Sequence, residues 1–196
     1  MDIKLDFSKF YIFGEKYFDG PVAVAPENNK DIPTDVRKKF YCGDFSVIKP
    51  EHFVHVRGNK LYDLVVAGAP SFYLMSQRLI DVLEKNNVTG WGSYPVTITS
   101  SSLGEISNYH AFYILGKADK ADKSLSEKIE VVFPNKSKGF RDKGYYFPLD
   151  SWDGSDFFYH IGTVGSITVT EKVKNLFESI NATNIQFVRC TEYVWA

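Results

Sequence analysis

Ser76-Gln77-Arg78-Leu79-Ile80-Asp81-Val82-Leu83-Glu84-Lys85-Asn86-Asn87-Val88-Thr89 has a counterpart 94 positions later. That counterpart is Thr170-Glu171-Lys172-Val173-Lys174-Asn175-Leu176-Phe177-Glu178-Ser179-Ile180-Asn181-Ala182-Thr183. In each stretch a hydroxyl residue suited to an N-cap precedes an apolar stripe at helical spacing. The stripes are Leu79, Ile80, Val82 and Leu83, then Val173, Leu176, Phe177 and Ile180. Glu84, Asn87 and Thr89 recur in identity as Glu178, Asn181 and Thr183. Each unit reads as extended stretch, capped helix, Asn-x-Thr and strand.

Alternating or short apolar runs surround these helices. Strands are expected at 3–13, 22–25, 52–56, 61–67, 91–99, 108–115, 129–133, 157–161, 167–169 and 185–195. Residues 52–56 and 61–67 read as a hairpin around Arg57-Gly58-Asn59-Lys60. A short helix is expected from Thr34 to Lys39, and 134–144 reads as a basic loop. No regular helical crossovers join the strands, so a parallel doubly wound sheet is disfavoured. The expected fold class is α+β: mostly antiparallel sheet with a few helices packed on one face. Residues 1–196 read as one domain, divisible into fused halves at about 1–116 and 129–196. The polar stretch 117–128 is the candidate boundary.

Composition narrows the function. The chain has 196 residues, 44% apolar and 24% charged, as an ordinary globular protein does. Its 23 Lys plus Arg against 24 Asp plus Glu leave no global field for nucleic acid or an anionic membrane. No apolar run is long enough to span a bilayer, and no secretory leader is recognisable. Cys42 and Cys190 are too few for a disulfide framework and read as reduced thiols in a cytoplasm. Aromatic residues make up 16% of the chain, which serves both cores and interfaces.

Motifs for chemistry are weak. His52 and His55 would point to opposite faces of a strand and cannot share an ion. His110 and His160 sit in apolar strands and read as structural. No nucleophile elbow or phosphate loop is present. We therefore expect no catalytic residue, no metal and no cofactor. Lys136, Lys138, Arg141 and Lys143 around Phe140 fit a solvated loop better than an RNA site. Asp150, Asp153 and Asp156 surround Trp152 but fail the calcium-loop spacing. They read first as an exposed turn and second as a partner-binding patch. In the second reading Trp152, Tyr145 and Tyr146 are the anchors, and Asp150 and Asp153 the rim.

Three segments carry a resemblance. Leu74-Met75-Ser76-Gln77-Arg78-Leu79 runs on through Leu83 to Asn87-Val88-Thr89-Gly90. Asn108-Tyr109-His110-Ala111-Phe112-Tyr113-Ile114-Leu115 precedes Ala118-Asp119. Gly154-Ser155-Asp156-Phe157-Phe158 is followed by Val169-Thr170-Glu171-Lys172-Val173 and Asn184-Ile185-Gln186-Phe187. Together they resemble the bacterial polymorphic-toxin immunity proteins of immunity family eleven, over about the last two thirds of the chain. The resemblance implies a cytoplasmic, non-catalytic protein that binds and neutralises a cognate protein toxin. It leaves a homodimer open. The aromatic excess supports an alternative: a small-molecule or glycan-binding module without catalytic activity.

Overall fold

The computed structural model describes residues 6–16, 20–28, 49–68, 72–162 and 166–195. The expected helix at 34–39 and Cys42 lie outside them. Among the described residues the chain is mostly β with two α-helices, as the α+β reading requires.

Six strands close a barrel in the order β2-β3-β6-β7-β5-β4. They are β2 (Ala23–Pro26), β3 (His52–Arg57), β4 (Leu64–Ala67), β5 (Tyr73–Ser76), β6 (Trp91–Ser100) and β7 (Gly104–Ile114). A five-stranded sheet has the order β13-β1-β12-β11-β8. It contains β1 (Phe10–Glu15), β8 (Gly116–Ala118), β11 (Phe157–His160), β12 (Ile167–Thr170) and β13 (Ile185–Arg189). A small third sheet, β14-β10-β9, joins β9 (Glu127–Val132), β10 (Lys138–Lys143) and β14 (Val194–Trp195). Most pairings are antiparallel; β2–β4, β3–β6 and β8–β11 are parallel.

The five-stranded sheet repeats the barrel's topology. Barrel strands run β2 parallel to β4, then antiparallel through β5, β7 and β6. Sheet strands run β8 parallel to β11, then antiparallel through β12, β1 and β13. Helix α1 (Gln77–Lys85) follows β5, and α2 (Glu171–Ser179) follows β12 at the equivalent place. Only the source of the fourth strand in each series, β7 or β1, differs. The barrel takes it from after α1, whereas the sheet takes it from the chain's N-terminal part. The halves read from the sequence are therefore interleaved, and 116–118 forms an edge strand of the second unit.

Side-chain alternation divides the apolar residues among three cores, because successive strand residues point to opposite faces. Val65 and Leu74 fill the barrel with Phe53, Val24 and Ile98. Phe10, Ile12 and Phe158 face the far side of the second sheet with Tyr145 and Phe147. Leu64, Tyr73 and Met75 meet Tyr11, Phe13, Phe157 and Val169 in a central core. Both helices bury their stripes there through Leu79, Ile80, Leu83, Val173 and Phe177.

Three expectations are corrected. β3 and β4 do not form a hairpin; β2 lies between them. Gly58, at φ +83°, packs so tightly on Pro21 that a Cβ would fall 1.9 Å from its carbonyl oxygen. The turn is thereby pinned to 20–22, with Asn59 and Lys60 N–H donating to Gly20 and Val22 N–H to Lys60. The basic stretch 134–144 is largely β10, which pairs with β9 across a turn closed by Lys136 N–H to Phe133. Both faces of that hairpin are polar enough to hide the two-residue period. The strand expected over 185–195 breaks after Arg189 into a turn.

Candidate binding surface

The residues singled out for partner binding lie on one continuous strap, 144–153. It runs along the open side of the second sheet, where β3 runs in the barrel. Tyr145 N–H donates to Cys190 O at 2.7 Å, beyond β13, and Tyr146 O accepts Asp122 N–H at 2.8 Å, beyond β8. Asp119 N–H donates to Ser151 Oγ at 2.9 Å, Lys117 N–H to Asp153 Oδ2 at 2.8 Å, and Asp153 N–H to Lys117 O at 3.1 Å. Successive contacts thus descend β8 as the strap advances, the antiparallel sense of β3 on β2. The strap starts at Gly144, φ +94°, where a Cβ would lie 2.4 Å from the Tyr146 ring.

The five residues divide by burial. Tyr145 is 0% exposed and belongs to the core. Trp152 is half-buried: its ring meets Phe10 edge-on at 5.0 Å, and its Nε1–H donates to Ser155 O at 3.0 Å. Tyr146 is half-buried against Phe7. Asp150 and Asp153 are exposed, and Asp153 also accepts the Ser155 N–H. The strap therefore presents Asp150, Asp153 and the edge of Tyr146 outward, while Tyr145 and most of Trp152 close the second unit.

Beneath the strap lies His160, 0% exposed. Asp119 O can only accept, so Nδ1 carries the proton and donates at 3.0 Å. Nε2 then accepts the Thr168 hydroxyl at 2.9 Å. Burial lowers its pKa to about 4, against a smaller opposite effect of the Asp119 bond. This is a neutral structural histidine. His110 likewise bonds Gln77. Among the described residues no group of three or more metal-ligating side chains exists.

Two carboxylates tie the units together: Asp63, which the sequence did not mark, and Asp156, which was expected in an exposed turn and is instead buried. Asp63 accepts from Ser76 Oγ, Arg78 Nε and Nη2, and the Thr183 N–H and hydroxyl. Asp156 accepts from Thr170 Oγ1, Lys172 Nζ, and the Thr89 N–H and hydroxyl. Each carboxylate binds the first turn of its own helix and the Asn-x-Thr exit of the other. Arg78 also donates to Ile180 O and Asn181 O, and Lys172 to Asn87 O. Ser76 and Thr170 occupy the N-cap positions, but their hydroxyls serve these carboxylates rather than a helix N–H. Burial opposes ionisation of Asp63, yet Arg78, Thr183 and Ser76 outweigh it and bring the carboxyl to about 2. Asp156 is held below the usual range in the same way, chiefly by Lys172 against burial.

This duplicated, cross-latched architecture spans nearly all of the stretch that matches one family model, that of the immunity proteins Imm11, over residues 20–192. The chain belongs to the Imm11 immunity protein family. The match covers the barrel, both helices and the strap, beyond the two thirds over which the motifs resembled the family. β1 precedes the matched stretch although it is an interior strand of the second sheet, between β13 and β12. No curated protein matches the chain. Membership in Imm11 supports an immunity role against a toxin. No helix among the described residues is long and apolar enough to cross a membrane.

Proposed function

We propose that this Imm11 protein binds a cognate bacterial toxin one-to-one inside the cell it protects, and blocks it non-covalently. The observation that carries this reading is the family match over residues 20–192. The rigid, latched frame supports it, since a preformed surface loses little conformational freedom on binding. Within this reading the outer edge of the strap is the contact face, with Asp150 and Asp153 as rim and Tyr146 and the exposed part of Trp152 as its apolar centre. Tyr145 holds the strap from inside. The aromatic excess that favoured a glycan-binding module sits largely in the three cores.

The test is to co-express the protein with the toxin-like product of the adjacent gene and to titrate the two by calorimetry. Growth rescue and one-to-one binding in about the nanomolar range are expected. Asp150→Lys together with Tyr146→Ala should weaken binding at least ~10-fold with the melting temperature little changed. Unchanged affinity in that variant moves the contact face elsewhere. Absence of both binding and rescue defeats the immunity reading itself.

A further inference from the structure

The β9–β10 hairpin carries the two most exposed large apolar side chains among the described residues. Val132 is 65% and Phe140 71% exposed, and Leu125, just before β9, is 60% exposed. β9 ends its sheet, so among the described residues one of its sides carries no strand. Which backbone groups face that side follows from the ladder. Phe133 N–H bonds Ser137 O, and Gly144 N–H on the neighbouring strand turns away to Tyr193 O. In an antiparallel pair the bonded residues alternate. Residues 127, 129 and 131 therefore bond β10, while Lys128, Glu130 and Val132 present N–H and C=O outward.

The same outward residues carry the charge pattern. Lys128 and Glu130 lie on one face, two residues apart, with opposite signs. Consider a second copy adding antiparallel to this edge. If Ile129 faces Ile129 across the two-fold axis, each Lys128 stands opposite the Glu130 of the other copy. Moving the centre to 130 sets Glu130 against Glu130, and moving it to 128 sets Lys128 against Lys128. Like charges directly opposite are destabilising, so charge selects the Ile129-centred register. Existing ion pairs extend that row. Lys128 already reaches Asp142 at 2.6 Å and Lys138 reaches Glu130 at 2.7 Å. The row across the seam would then read Asp142, Lys128, Glu130, Lys138, alternating in sign from one copy to the next.

We propose that the β9 edge is a homodimer interface, formed by antiparallel pairing of residues 126–132 in two copies about Ile129. The pairing joins two three-stranded sheets into one of six and brings each Leu125 level with the hairpin tip of the other copy. It stands independently of the toxin reading, because no toxin enters its test.

The test is sedimentation and light scattering on the full chain at about 100 μM, where an edge-strand dimer of micromolar affinity is mostly assembled. A species of twice 22.3 kDa is expected. Glu130→Pro removes an outward N–H and spares the β10 ladder, so it should give monomer with an unchanged far-ultraviolet spectrum. Ile129→Cys, in a Cys42→Ser background, places two thiols opposite each other and should oxidise to a covalent dimer. Val131→Cys in the same background should not, because its two thiols would lie roughly 14 Å apart along the strands. A monomer at that concentration, or a dimer that survives Glu130→Pro, overturns the proposal. If Glu130→Pro unfolds, the two cysteine variants decide: cross-linking from position 129 no better than from position 131 overturns it.

Discussion

In the barrel the gap between β6 and β2 is filled by β3, six residues laddered on both sides, with one bulge against β2 between Ala23 and Val24. In the second unit the gap between β13 and β8 is spanned by the strap, which bonds once each at Cys190, Asp122 and Asp119 and twice at Lys117. The two regions are otherwise alike in strand order, helix placement and latch. What differs is how closure is achieved. A regular strand closes the first through backbone pairing, and its interior is filled mainly by aliphatic residues. The strap closes the second through scattered bonds, three from backbone to backbone and two through the Ser151 and Asp153 side chains, over an interior of packed rings. Phe10, Phe147, Phe158, His160 and Trp152 meet mostly edge-on. A closure by scattered bonds rather than a ladder leaves the strap's backbone irregular and its outer edge free to vary, which suits a contact surface on a fixed frame.

The largest way to break this likeness is to cut one latch at a time. Asp63 is 7% exposed and takes a two-nitrogen contact from Arg78; Asp156 is 9% exposed and takes a single ammonium. Asp63→Ala leaves a half-exposed guanidinium and three further donors without this acceptor, and should cost about 2–3 kcal/mol in denaturant unfolding at pH 7. Asp156→Ala should cost less, since it loses a single ammonium contact in place of the two-nitrogen one. Equal losses would mean that the bidentate geometry contributes nothing and that the two latches are energetically interchangeable.

These latches also show where sequence reading stops. The repeat was visible from Ser76 to Thr89 against Thr170 to Thr183 because a helix stripe, its entrance and an Asn at positive φ leave local marks. It could not be followed outward for two reasons. The turn between Asp156 and Thr170 is one residue longer than that between Asp63 and Ser76, so the carboxylates fall out of the 94-residue phase. The strand beside β12 in the second sheet, β1, comes from the opposite end of the chain, so no constant shift aligns it with β7. The strap was legible as a cluster of Asp and aromatic residues, but which of them face inward depends on Phe10, which is distant in sequence. Burial of Tyr145 is a tertiary outcome with no local signature. The β9–β10 hairpin was half-seen because solvent reaches both of its faces and charge masks the strand period.

A pH titration separates the units by a smaller margin. His160 belongs to the strap-closed unit and has its pKa lowered to about 4, while its unfolded value is near 6.5. Below pH 6.5 the unfolded chain binds a proton that the folded one refuses. Stability therefore falls as pH drops from 6.5 towards 4, by on the order of 3 kcal/mol in all. Asp63 acts lower: its contribution is complete above 3.8 and is lost as pH falls through about 2. The strap-closed unit should thus loosen first in acid. Hydrogen exchange at pH 5 should show faster opening at Tyr145 and Cys190 than in the barrel strands. His160→Gln should flatten the slope between pH 6.5 and 4; a slope unchanged in that variant would place its origin outside the strap.

The finest comparison is between the two helix exits. Asn87 has φ +48° and Asn181 φ +53°, and each follows the last turn of its helix with its N–H bonded three residues back, to Glu84 and Glu178. Asn tolerates this left-handed conformation better than other residues with a Cβ, and glycine tolerates it best. Asn87→Ala and Asn181→Ala should each cost about 1 kcal/mol, lowering the melting temperature by roughly 2–4 °C. The glycine variants should be close to neutral or slightly stabilising. Because the backbone carbonyls of both residues still accept Lys172 and Arg78, the side-chain loss is isolated from the latch. Matching shifts at the two sites would establish that the exits are equivalent in energy as well as in shape. A larger loss at Asn181 would show that the strap-closed unit relies on its helix exit more than the barrel does.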